Sequence, residues 1–231
     1  MMPRTLDHIM EDASTALVKM EYLTCEALCL EALVEARRRG EWEYYARVLL
    51  PLQEVRRQRR IIAAEGVIAL GVNATDPSIR TKIESLTSAC IVLIKPSTVA
   101  DAIALTARAR QERKYLEVLF ADNDVADKTW TIRAFAGSAV SCNLPTPPHQ
   151  WIGRFFHPGE VKVTADTSTD TPGAWFVHAT ECLGDAALAA VSPKLTGAAK
   201  VAALEHCLEV ITDHEIIHQR LADAARALSR A

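Results

Sequence analysis

The chain has 231 residues, of which 49% are hydrophobic and only 6% aromatic, with a formal net charge of −3. That length suffices for one large core or two smaller ones, and the near-neutral total supplies no field that favours nucleic acid or a membrane surface. No run of about 18 apolar residues is present to span a bilayer, and MMPRTLDHIMEDAS lacks an apolar stretch of signal-peptide length. The six cysteines (25, 29, 90, 142, 182 and 207) include no C-x-x-C spacing. They read as reduced thiols, and the expected location is cytoplasmic.

From Thr15 to Arg39 the residues Leu17, Met20, Leu23, Ala27, Leu28, Leu30 and Leu33 recur at three- and four-residue steps, which predicts one helix. Arg37, Arg38 and Arg39 suit its C-terminal dipole, and Gly40 stops it. A second helix from Glu41 carries Trp42, Tyr45, Ala46, Leu49 and Leu50, with a break expected at Pro51. Leu52 to Glu65 then continues as a basic helix. So short a link makes the pair an antiparallel hairpin.

After Gly66 the pattern changes. Val67 to Leu70 is a short apolar run, and Asn73 to Ser78 reads as a turn. Cys90-Ile91-Val92-Leu93-Ile94 is β-branched without alternation, as in a strand covered on both faces. Thr98 and Asp101 have capping-box spacing ahead of an Ala-rich helix to about Lys114, and Leu116 to Ala121 is a further apolar run. Strand, helix and strand make a parallel βαβ unit. Trp130 to Arg133 alternates and is expected to form a hairpin with Ala139 to Asn143 through Gly137-Ser138. The loop from Pro145 to Glu160, rich in Pro and aromatics, is expected to fold back over the sheet edge, with a short strand at Glu160 to Thr164. Thr171-Pro172 opens a helix to about Val191, Thr196 one to about Val210, and Thr212 the last. The expected fold is thus mixed α/β: helical N- and C-terminal segments flank a small mixed sheet with one βαβ unit. The division is 1–66 (hairpin), 67–170 (α/β module) and 171–231 (helices packing with the hairpin).

Ala27, Leu28, Leu33, Ala36, Gly40, Trp42, Ala46 and Leu49, on two helices joined by a Gly turn, resemble the tetratricopeptide-repeat hairpin, and ATECLGDAAL (179–188) resembles a first repeat helix with Leu183-Gly184 at its Leu-Gly position. The resemblance implies protein–protein interaction surfaces.

Three sets of residues raise chemical possibilities. His214-Glu215-Ile216-Ile217-His218 matches H-E-x-x-H, the zinc-peptidase pattern. Yet Thr212 and Glu215 also have capping-box spacing, Glu215 falls opposite the apolar stripe Ile217, Leu221, Ala224 and Leu228, and no third ligand follows His218. A zinc site would need His178 or His206 from upstream, so the motif is read as a capped helix start. At the carboxyl edge of the βαβ unit stand Lys95, Ser97 and Thr98, then Asp122 and Asp124; an anion or Mg²⁺ could be held there, though such residues also build ordinary βα turns. Finally, eight arginines between Arg37 and Arg60 face only Glu41, Glu43 and Glu54 nearby. Of these, Arg56, Arg57 and Arg60 are candidates for an acidic partner, against the reading of a solvated helix face. Nucleic acid is not expected, because the whole-chain charge does not support its footprint.

The expected function is a non-catalytic interaction or scaffold protein with a protein partner, no cofactor, no catalytic or metal-ligating set and no membrane. Oligomeric state is undetermined. The alternative is a metal-dependent hydrolase or phosphotransferase using Asp122 and Asp124.

Overall fold

The computed structural model describes residues 5–123, 128–133, 140–160 and 171–230. Where three successive segments are expected from the sequence, the chain folds as two compact units: Met1–Arg59 together with Leu188–Ala231, and Arg60–Ala187.

The first unit is helical. α1 (Leu6–Val18) is capped by Thr5, whose hydroxyl accepts from the His8 N–H, and α2 (Tyr22–Arg39) ends at Gly40 with φ +72°. The single helix expected from Thr15 is therefore two. Its break falls at Met20, held at φ +58°, where neither Gly nor Pro announces it. α3 (Trp42–Glu65) runs unbroken through Pro51 and contributes residues as far as Arg59 to this unit. Proline removes one helical hydrogen bond, but Tyr45, Ala46, Val48 and Leu49 before it and Leu52 and Val55 after it are all buried. Their shared burial holds the helix through the gap. α7 (Gly197–Val210) and α8 (Glu215–Ser229) complete the unit. Tyr45 donates to Glu205 Oε1 of α7 at 2.6 Å, and Arg37 pairs with the same carboxylate.

The second unit holds a six-stranded mixed sheet, ordered β5-β4-β3-β2-β1-β6. β1 (Val67–Val72), β2 (Ser88–Ile94) and β3 (Tyr115–Asp122) are parallel. β4 (Thr129–Arg133), β5 (Ser141–Pro145) and β6 (Arg154–Phe156) are antiparallel to their neighbours. The expected fold-back of the aromatic loop takes the form of β6, with Phe155 and Phe156 in register with Ala69 and Ile68. The hairpin turn at 137–138 and the strand expected from Glu160 to Thr164 lie outside the described residues, Glu160 excepted.

One crossover, α5 (Val99–Gln111), was expected, and its capping box is formed in full: the Thr98 hydroxyl accepts from the Asp101 N–H and the Asp101 carboxylate from the Thr98 N–H. The other, α4 (Pro77–Ser85), stands where only a turn was expected. Asp76 caps it, accepting from the Ser78 and Ile79 amides, and Pro77 sits at its first position. Both helices pack on one face: Ile83 and Ala102 share a buried cluster with Ala69, Ile91, Leu93, Val118 and Phe120. The opposite face carries Ile68, Trp130 and Ile132. There α6 (Pro172–Ala189) lies with Gly173 against Ile68 and Trp175 edge-on to Trp130 at 5.6 Å. Two glycines permit close approach. A Cβ at Gly66 would meet the Ser88 carbonyl oxygen at 2.3 Å, and at Gly71 (φ +67°) it would meet Trp130 and Ile152 at 2.8 Å.

Candidate functional site

At the carboxyl edge of the sheet the strand register places Ile94 beside Ala121 and Asp122 beside Thr131. Lys95, one step past β2, thereby reaches Asp122, with Nζ 3.2 Å from Oδ1, and Arg133 of β4 pairs with Oδ2. Burial works to raise the Asp122 carboxyl, but Arg133 and then Lys95 more than offset it and leave it below the usual carboxylate range. Asp122 is thus an anion already engaged on both oxygens by cations.

Ser97 and Thr98 are structural here. Ser97, only 2% exposed, accepts from the Ala74 amide at 2.7 Å and donates to Asn73 Oδ1 at 3.1 Å, while Thr98 is spent in the capping box. Asp124 lies outside the described residues. The topology adds a further point. Ligand crevices in open sheets form where successive crossovers leave in opposite directions. Here β1, β2 and β3 follow one another in spatial order with both crossover helices on the same face, so no such reversal falls among the parallel strands. The residues brought together are Lys95, Asp122 and Arg133; Arg133 was missed because its closeness to Asp122 depends on the hairpin returning.

The arginine cluster resolves differently from a solvated face. Glu26 of α2 receives two guanidiniums from α3: Arg56 Nε reaches Oε1 at 2.9 Å, and Arg59 pairs with Oε2. All three are buried, with side-chain exposures of 9%, 4% and 12% for Arg56, Arg59 and Glu26. Arg57 pairs with Glu54 on its own helix and is exposed, and Arg60, in the second unit, pairs with Glu181 at 2.8 Å. Arg38 and Arg39 share Glu35, and Arg47 lies over the Tyr44 ring. The local excess of positive charge counted along the sequence is answered by Glu26, Glu35, Glu181 and Glu205, which lie outside the counted stretch. Glu26 was nonetheless visible as a carboxylate on the apolar face between Cys25 and Cys29.

The HEIIH segment joins this buried centre. α8 starts at Glu215 with His214 as its N-cap residue, so the expected capping box at Thr212 is not formed. Instead the Thr212 carbonyl accepts from Arg56 Nη1 at 3.0 Å and from His218 Nε2 at 2.9 Å. That carbonyl turns inward to satisfy buried donors, which is why the segment cannot serve as a helix cap. His214 and His218 are buried at 2% and 1% exposure, deeper than the flanking positions expected, whereas Glu215 faces solvent. Burial first, then Arg56 and His214, pull the His218 imidazole down to about 4 despite its bond to Thr212. A carbonyl acceptor at Nε2 makes that nitrogen the protonated one, so it has no lone pair for a metal. Among the described residues no group of three His, Cys, Asp or Glu is placed to hold a metal ion. Cys25 and Cys29 are fully buried core thiols; the Cys29 thiol is pushed up by its hydrogen bond with Cys25 and by burial.

The surface of the helical unit shows the opposite chemistry. Six of the seven large apolar side chains exposed among the described residues belong to it: Val18, Met20, Leu30, Val34, Leu50 and Ile216. Leu30 and Val34 lie one turn apart on the outer face of α2, and Ala27 continues the same stripe. No helix among the described residues is long and apolar enough to cross a membrane. No protein-family model, curated protein or solved structure matches the chain.

Proposed function

We propose that this is a non-catalytic interaction protein whose helical unit receives an apolar segment of a protein partner on the outer face of α2. The observation that carries this reading is the stripe of Ala27, Leu30 and Val34, with Val34 70% exposed. Isolated exposed apolar residues are ordinary. A one-sided stripe in a unit whose arginines are paired is a contact surface in waiting, and helices use i, i+3 and i+4 anchors for such contacts. The likeness of α2 and α3 to a tetratricopeptide hairpin points the same way and belongs to the same proposal. The hydrolase alternative is less well supported, because Asp122 is neutralised by Lys95 and Arg133 and its companion acids are not brought beside it in the described residues.

The test is site-specific photocrosslinking of the full chain in its native cells, with a photoreactive residue at position 34 or, as control, at exposed Glu209. A discrete adduct from position 34 that Leu30→Glu abolishes, and that position 209 does not give, is the expected result. Equal labelling at both positions, or an adduct indifferent to Leu30→Glu, would overturn the proposal.

A further inference from the structure

All six cysteines are thiols. Four of them, Cys25, Cys29, Cys90 and Cys207, are buried; Cys142 and Cys182 are partly open, and both belong to the sheet-bearing unit. Cys142 sits on β5, at the edge of the sheet, two residues before Leu144 and on the same face. Leu144 is in register with Trp130, which meets Trp175 of α6, and Trp175 Nε1 donates to the Pro145 carbonyl at 3.1 Å. From that contact, Cys142 lies three residues back along β5, roughly 10 Å. Cys182 lies seven residues on along α6, two turns or about 10.5 Å further on the same stripe. The two displacements match in length. The repulsion Cys142 feels from Cys182 shows that they also run the same way: burial first, then Cys182, push the Cys142 thiol up to about 12.

We infer that Cys142 and Cys182 form a site of reversible oxidation, a disulfide that ties the edge strand β5 to α6. His178, one turn before Cys182 with its ring nitrogens 3.6 and 3.7 Å from the sulfur, is placed to take the first proton. The oxidant is a small-molecule disulfide. The Cys182 thiolate attacks one of its sulfurs, forming a mixed disulfide and expelling one thiolate. Cys142 sulfur then attacks the Cys182 sulfur and expels the second. Two protein thiols and one disulfide become one protein disulfide and two small thiols, the two protons passing to the departing thiolates. Burial, with Asp185 and Glu181, pushes the Cys182 thiol up, so the thiolate is scarce at neutral pH and exchange is slow there and faster at alkaline pH.

The experiment incubates the folded full-length protein at alkaline pH with oxidised glutathione, blocks free thiols, and maps peptides without reduction. The expected result is a single internal crosslink joining the peptides of Cys142 and Cys182, a loss of two hydrogen masses, and reversal by dithiothreitol. The crosslinked protein should also show a higher urea midpoint than the reduced one. Glutathione adducts on both cysteines that never resolve into a crosslink, a crosslink through any other pair, or six thiols still free would each overturn the inference. Because the assay reads the unmutated protein, it does not depend on a cysteine variant folding.

Discussion

Replacing Glu26 by glutamine removes one charge and little volume. In the folded unit it leaves Arg56 and Arg59, 9% and 4% exposed at their side chains, facing each other without the carboxylate both rely on. Glutamine retains one acceptor oxygen, so at most one guanidinium keeps its bond. Breaking a buried ion pair in this way costs about 3–5 kcal/mol, because the stranded charge stays desolvated. Against a typical domain stability of roughly 5–15 kcal/mol this is a large share. With a urea slope of about 2 kcal/mol/M it corresponds to a midpoint lowered by about 2 M. Urea unfolding followed by the helical circular-dichroism signal reads it directly. Glu35→Gln, which loosens Arg38 and Arg39 at the surface, is the control and should leave the midpoint within experimental error. A Glu26→Gln shift no larger than that of Glu35→Gln would refute the reasoning, since it would mean that water already screens the cluster.

Two further outcomes follow from the same packing. His218 has a folded-state pKa of about 4 against 6.5 for a free imidazole, so the unfolded chain binds the proton more readily between those values. Stability is therefore full above pH 6.5 and falls as pH drops toward 4, by about 3 kcal/mol in all; a ring titration by NMR with a midpoint near 6.5 would contradict this. Gly71→Ala places a Cβ 2.8 Å from Trp130 and Ile152 at φ +67°. It should cost about 2–4 kcal/mol from left-handed strain and overpacking together, with a changed near-ultraviolet tryptophan signal; an unaltered signal and midpoint would count against the tight β1 approach.

The sequence by itself determined the elements whose signals are local. The β-branched run at Cys90 to Ile94, the Thr98–Asp101 box and the apolar run after Leu116 specify β2, α5 and β3, because burial on both faces and helix capping act within a few residues. α4 was equally legible in Asp76-Pro77-Ser78, an N-cap followed by a proline at the first helical position, though it read as a turn. The tertiary structure alone decided the rest. The αL residue Met20 splits a continuous apolar stripe with no local marker, and Pro51 is carried through a helix by side chains buried on both sides of it. Glu26 meets Arg56 and Arg59, Arg133 meets Asp122, and the Thr212 carbonyl meets His218 only because the fold brings their elements together. Charge pairing and desolvation depend on distance in space. A count along the chain could see a basic segment and a zinc-like motif, but not the carboxylate and the carbonyl that account for them.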